Sequence, residues 1–286
     1  YYGLILLAVG MFGGCFALND VYRRMRGSGL RISLQFSLIG SLAGVVILLA
    51  ANGFHLSFTW FTFGIALLAA LVGLGFTFCG FRALDTINLS LYSLFSMLGG
   101  MLLPFLQGIL FFGERMNAAK ILCLALITAA LGVTVERGNA WRRGIPYYAG
   151  IFILNGMAGV LSKIFTSSSL PKTNATEYSV WIALCTVGLC TAALLFFKKQ
   201  EGESPMRPAS VAVVVLGGGI NRIANLLLVV ALAHVEASVQ YPMVTGGVMI
   251  VSTAICFFTS KKPGKREILS VLLAFFGMLA LFLLPA

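Results

Sequence analysis

The sequence predicts an all-α polytopic membrane protein, with ten transmembrane helices arranged as two inverted five-helix repeats. Three observations carry that expectation. Of the 286 residues, 59% are hydrophobic and only 10% are charged, whereas a soluble domain is about one quarter charged. Apolar runs follow one another along the whole chain, separated by short polar connections. The two halves also share small motifs at nearly one spacing: Tyr1-Tyr2, Gly10-Met11 and Gly13 recur as Tyr147-Tyr148, Gly156-Met157 and Gly159.

A spanning helix needs about 20 apolar residues. Ten segments of that kind fit, over residues 2–19, 32–52, 59–82, 88–112, 118–135, 146–166, 177–197, 209–233, 237–259 and 267–285. The likeness of the halves continues through them. Ala83-Leu84 and Ser90 match Ala231-Leu232 and Ser238 at an offset of 148, and Gly99-Gly100 matches Gly246-Gly247 at 147. Residues 1–140 and 141–286 are therefore expected as the two repeats of one transmembrane domain. Each repeat holds an odd number of helices, so the second must run opposite to the first.

Charge gives the orientation. Of the 20 lysines and arginines, 15 fall in odd-numbered connections and three in even-numbered ones, and Lys163 and Arg222 lie within helices. Basic residues concentrate in loops that stay in the cytoplasm, which puts both termini outside, in what is expected to be a bacterial inner membrane. The same rule explains the net charge of +11 without nucleic acid as a partner. The first apolar run lacks a basic leader, so no cleavable signal peptide is expected. The chain starts at Tyr1, so a few residues are expected to precede it. Cys15, Cys79, Cys123, Cys185, Cys190 and Cys256 all sit in apolar runs without CxxC spacing and read as small hydrophobes.

Tyr92-Ser93-Leu94 through Leu103-Pro104, then Phe111-Phe112-Gly113-Glu114-Arg115, and Ala130-Leu131-Gly132-Val133 resemble the drug/metabolite transporter superfamily, in its EamA-type ten-helix branch. The resemblance implies a secondary transporter working by alternating access. The chain departs from it where a second Gly-Glu is due and Ser260-Lys261-Lys262-Pro263 stands instead. It departs again in orientation, since the family keeps its termini in the cytoplasm.

One stretch stands out chemically, Leu216 to Val230, in which three glycines precede Asn221, Arg222 and Asn225. An arginine at bilayer depth costs roughly 2.5–3.5 kcal/mol on insertion scales. Asn221 and Asn225, at i and i+4, share a helix face, with Arg222 turned by about 100°. One reading has Arg222 hold a carboxylate or phosphate of a substrate, with the asparagines as hydrogen-bond partners. The other has it bond helix carbonyls or pair with an acid, with the asparagines as interhelical glue.

Further candidates come with the same pair of readings. Asn155, mid-helix beside Gly156, is an interhelical hydrogen bond or a ligand contact. Tyr92 and Tyr241 begin equivalent helices, as interfacial belt residues or as pocket walls. His234 and Glu236 read as a proton relay, or as solvated helix ends. Lys163 reads as a snorkelling side chain, Asp20 and Glu114 as helix-end acids, and Asp85 with Arg82 as a connection equivalent to His234 and Glu236. Gly10-xxx-Gly14 and Gly40-xxx-Gly44 read as packing seams. Asn174-Ala175-Thr176 has the form of a glycosylation acceptor.

No P-loop, HExxH or GxSxG occurs, so no enzyme, metal or cofactor is expected. The partners expected are the bilayer, a small-molecule substrate and a coupling ion such as the proton. Arg222 favours a small polar metabolite with an acidic group, such as an amino acid or organic anion. The alternatives are a carrier of organic cations or drugs, which would ordinarily want a mid-membrane acid, and a lipid-handling membrane protein.

Overall fold

The computed structural model describes residues 1–112, 118–134, 139–196, 206–232, 237–259 and 262–283. They form helices without a strand among them: α1 (Tyr2–Arg26), α2 (Leu30–Ala51), α3 (Trp60–Thr86), α4 (Leu89–Phe112), α5 (Ala118–Thr134), α6 (Asn139–Ser167), α7 (Ala175–Phe196), α8 (Pro208–Leu232), α9 (Ala237–Cys256) and α10 (Lys265–Leu283). Five of them, α1, α2, α3, α6 from Arg143, and α7, are long and apolar enough to cross a membrane.

Local chemistry sets the helix ends. Thr59 caps α3, its side chain accepting the Thr62 amide at 3.3 Å, and Asn88 caps α4 by accepting the Leu91 amide at 3.0 Å. At α7 the Asn174 side chain accepts from the Glu177 amide at 2.8 Å and Glu177 accepts from the Asn174 amide at 3.3 Å. This is a reciprocal capping box, so the Asn-Ala-Thr triplet starts a helix here. Helix α1 runs seven residues past its expected end at 19. Its last turns are polar, but Arg23 and Arg24 pair with Asp20 at 2.8 and 2.7 Å along the helix.

Packing contacts close a circuit of eight helices, in the order α2, α8, α1, α9, α4, α6, α3, α7 and back to α2. Helices α5 and α10 pack on each other and lie against α4 and α9. Small residues make the closest approaches. A Cβ at Gly99 would meet the Phe152 carbonyl, and one at Gly156 would come within 2.6 Å of the Gly99 carbonyl oxygen, so α4 and α6 meet backbone to backbone. The Gly40–Gly44 seam behaves as expected: Gly40 faces Val214 and Gly218 of α8, and Gly44 faces Arg222. The Gly10–Gly14 reading does not hold. Neither glycine has anything within 4 Å of an added Cβ, and Gly13 between them carries the contact, against Val251 of α9. The side of α1 that meets α9 bears Val9 and Gly13, at i and i+4.

Cross-helix bonds gather the basic connections at one end. Tyr148 at the start of α6 donates to Thr86 at the end of α3 at 2.7 Å, and Arg31 of α2 donates to the Leu194 carbonyl of α7 at 3.3 Å. Asn88 donates to Glu267 of α10. At the other end Ser57 donates to Glu177 at 2.5 Å and Trp181 donates to the Ser57 carbonyl at 2.8 Å. Phe58, Trp60, Phe63 and Trp181 cluster there edge to face, with Phe58 5.0 Å from Trp60 and 5.4 Å from Trp181. Trp60 is 80% exposed, as suits an interfacial aromatic belt.

Candidate functional site

Helix α8 is wedged between α1 and α2, and its glycines let it in. Gly217 lies against Leu18 of α1, and Gly218 against the backbone of Gly40 in α2. The Cys15 thiol donates to the Gly217 carbonyl at 3.4 Å and also reaches the Asn221 side chain. Asn221 therefore faces α1. Arg222, one residue on, faces α2, where a Cβ at Gly44 would lie 2.9 Å from Nε, 3.4 Å from one terminal nitrogen and 3.5 Å from Cζ. Only glycine leaves room for the guanidinium there.

Asn225 donates to both the backbone carbonyl and the side-chain oxygen of Asn221, at 2.8 and 3.1 Å. The two amides are thus joined on one helix face, as their spacing implies, and Asn225 is exposed. Arg222 is half-buried. Among the described residues it has no carboxylate within ion-pair distance and no hydrogen-bond acceptor. The described acids lie at helix ends: Asp20, Asp85 and Glu267 at the basic end, Glu177 at the other. Asn225 spends both amide hydrogens on Asn221, so the donors this turn can offer an anion are the uncompensated Arg222 guanidinium and the Asn221 amide beside it.

The other sequence candidates fall elsewhere. Asn155 of α6 donates through Nδ2 to the Ser96 carbonyl of α4 at 2.6 Å, and Gly100 makes room for it, since a Cβ there would stand 2.6 Å from the same nitrogen. That hydrogen bond joins two helices and lies apart from Arg222. Tyr92 is neither at an interface nor on an open wall. It is 2% exposed, with Phe16 of α1 edge-on at 5.2 Å, Phe76 of α3 at 6.4 Å, and Gly80 against its hydroxyl. The first turn of α4 is covered by α1 and α3, which hides the ring. Tyr241 lies in α9, with its side chain outside the described residues, as are His234, Glu236 and Glu114 altogether.

Sequence reading took Gly44 as part of a packing seam and not as part of the site. Its spacing from Gly40 marks a packing seam, but no feature of α2 alone says that an arginine from α8 rests on it. Glu177 was passed over. The Asn174-x-x-Glu177 spacing could have been read as a cap, whereas its bond to Ser57 requires knowing that the two connections adjoin.

No protein-family model matches the chain, and no curated protein matches it. A solved crystal structure of a protein is similar over 97% of this chain and 94% of its own, with a TM-score of 0.64 at 19% identity. The likeness is one of fold.

Proposed function

We propose that the protein is a secondary active transporter of the drug/metabolite transporter plan, moving a small polar metabolite with an acidic group by alternating access. Its ten helices would span the membrane as two inverted repeats, with the basic end in the cytoplasm. The observation that carries the anionic substrate is Arg222, half-buried in α8 beside Asn221 and Asn225 and without a described acid to neutralise it. A charge kept at such depth without a structural partner is kept for something that passes.

The packing supports the repeat. Adding five to each helix number turns α1 with α8 into α6 with α3, α1 with α9 into α6 with α4, and α2 with α8 into α7 with α3, and all of these pairs pack. The pairs α2 with α7, α4 with α9 and α5 with α10 map onto themselves and also pack. Individual contacts follow. Gly13 against Val251 corresponds to Gly159 against Pro104, and Val9 against Gly247 to Asn155 against Gly100, at offsets of 146 and 147. Inverted repeats of this kind are a common plan of secondary transporters. A carrier of organic cations is the weaker reading, because no described acid lies mid-helix.

The test is a thermal-shift screen of purified protein against amino acids, organic anions, nucleosides and quaternary amines, followed by counterflow in proteoliposomes with the hits. Stabilisation follows affinity for the folded state. Anions should stabilise the parent, and Arg222→Ala should lose that response. Stabilisation by quaternary amines alone would remove the acidic-substrate reading.

A further inference from the structure

Helices α1 and α3 are not neighbours in the eight-helix circuit, nor are α2 and α3 or α1 and α4, yet all three pairs touch. These contacts cross the circuit, and the bonds and rings that make them lie towards its basic end. Arg23 of α1 donates to Asp85 of α3 at 2.7 Å while holding Asp20 of its own helix at 2.8 Å. Ser28, just beyond α1, donates to the other Asp85 oxygen. Beneath this bridge, Tyr22 of α1, Phe36 of α2 and Phe81 of α3 meet with centroids 5.1 to 5.9 Å apart. Tyr22 and Phe81 are 0% and 2% exposed. One layer further in, Tyr92 of α4 closes on Phe16 and Phe76. Three successive layers, ionic then aromatic then aromatic, thus fill the circuit between helices that need not touch to complete it.

The sequence makes this barrier one-sided. At the repeat offsets of 146 and 148, Arg23 and Asp85 correspond to Ser169 and Ala233, and Tyr22 and Phe81 to Ser168 and Val229. Those residues can form neither an ion pair nor a ring cluster. The bridge and its ring cluster thus have no counterpart at the repeat-related positions. The bridge is suited to breaking. Arg23 and Asp20 are 12% and 9% exposed, but Asp85 is 38% exposed, so water can replace the arginine at little cost, whereas the Arg23–Asp20 pair stays within α1.

We propose that the Arg23–Asp85 bridge, with the Tyr22–Phe36–Phe81 cluster beneath it, is the latch of a gate that closes the basic end and parts when α3 swings away from α1. This rests on the alternating-access reading. A gate predicts that losing the bridge changes access from one end without unfolding the protein, and access can be read with no knowledge of the substrate.

Gly73 supplies the reporter. It shares a face of α3 with Phe76 and Gly80, at i, i+3 and i+7, on the inner side of the Tyr92 layer, with nothing within 4 Å of an added Cβ. Full-length Gly73→Cys protein in vesicles of each orientation is treated with a membrane-impermeant sulfonated maleimide, and labelling at residue 73 is read by peptide mass. Adding Asp85→Asn, or separately Arg23→Gln, is expected to speed labelling from the basic end roughly three- to tenfold by raising the open population. Asp85→Glu, which keeps the charge, should stay near the parent rate. A Ser28→Cys, Asp85→Cys pair, once oxidised, should slow that labelling, and reductant should restore it. Unchanged basic-end labelling in Asp85→Asn and Arg23→Gln proteins with parent-like melting overturns the gate. If labelling responds while no probe anion is moved by any variant, the gate stands and the acidic-substrate reading falls.

Discussion

Arg222 of α8 rests on Gly44 of α2, close enough that a methyl group at residue 44 would come within 2.9 Å of the guanidinium Nε. The two residues are far apart in sequence, and each explains the other. The glycine is needed because the arginine lies there, and the arginine is directed because the glycine gives it a flat seat.

Gly44→Ala should therefore weaken anion binding by about tenfold, since the displaced guanidinium loses its orientation, while melting moves by no more than a degree or two. Gly40→Ala is the control, because its Cβ would make only an ordinary 3.6 Å contact with Val214. Ligand titrations by thermal shift on the two variants decide it. Equal losses in both would mean general loosening of α2 against α8.

Arg222→Lys keeps the charge but not the planar fork. It should reduce uptake or export of an acidic substrate by tenfold or more and leave the melting temperature nearly unchanged. Parent-level transport by Arg222→Ala would dismiss the site.

Asn155→Leu removes the hydrogen bond to the Ser96 carbonyl and forces a branched side chain against Gly100. A loss of about 1–3 kcal/mol is expected, read as a lower unfolding midpoint in detergent. Gly99→Ala should be worse, because its Cβ meets the Phe152 backbone, which cannot turn aside as a side chain can. A parent-like midpoint for Gly99→Ala would mean that α4 and α6 do not pack this closely.

Orientation is open to direct assay. Phe54→Cys, at an exposed position between α2 and α3, should label from outside the cell. Gly264→Cys, ahead of α10 and also exposed, should label from the cytoplasm. The reverse pattern would place the termini inside and set the lysine and arginine count aside.

The helices were legible because each rests on a long apolar run, which leaves little else to choose. Their boundaries were less so. The polar last turns of α1 read as a loop until Asp20 is seen holding Arg23 and Arg24. The glycine seams were half legible: spacing alone chose Gly10 and Gly14 on α1, but a seam also needs a neighbour, and α9 meets Gly13. Arg222 announced itself as a charge within an apolar run. Tyr92 misled because a tyrosine at a helix start suits an interface as well as a core, and only Phe16 and Phe76 decide between them. The bridge from Arg23 to Asp85 joins groups 62 residues apart, and nothing local to either residue pairs them.

The order of helices in the circuit has one more consequence. Read around, it alternates strictly between the halves of the chain: α2, α8, α1, α9, α4, α6, α3, α7. Each helix of the circuit is thus flanked by two from the opposite half. During synthesis α1 to α4 lack their neighbours in the circuit until the second half is made, so closure of the circuit is a late event and not a stepwise one. A chain cut between the halves would leave the first fragment its Arg23–Asp85 bridge and aromatic layers, but each helix of the circuit would lose both of its circuit neighbours.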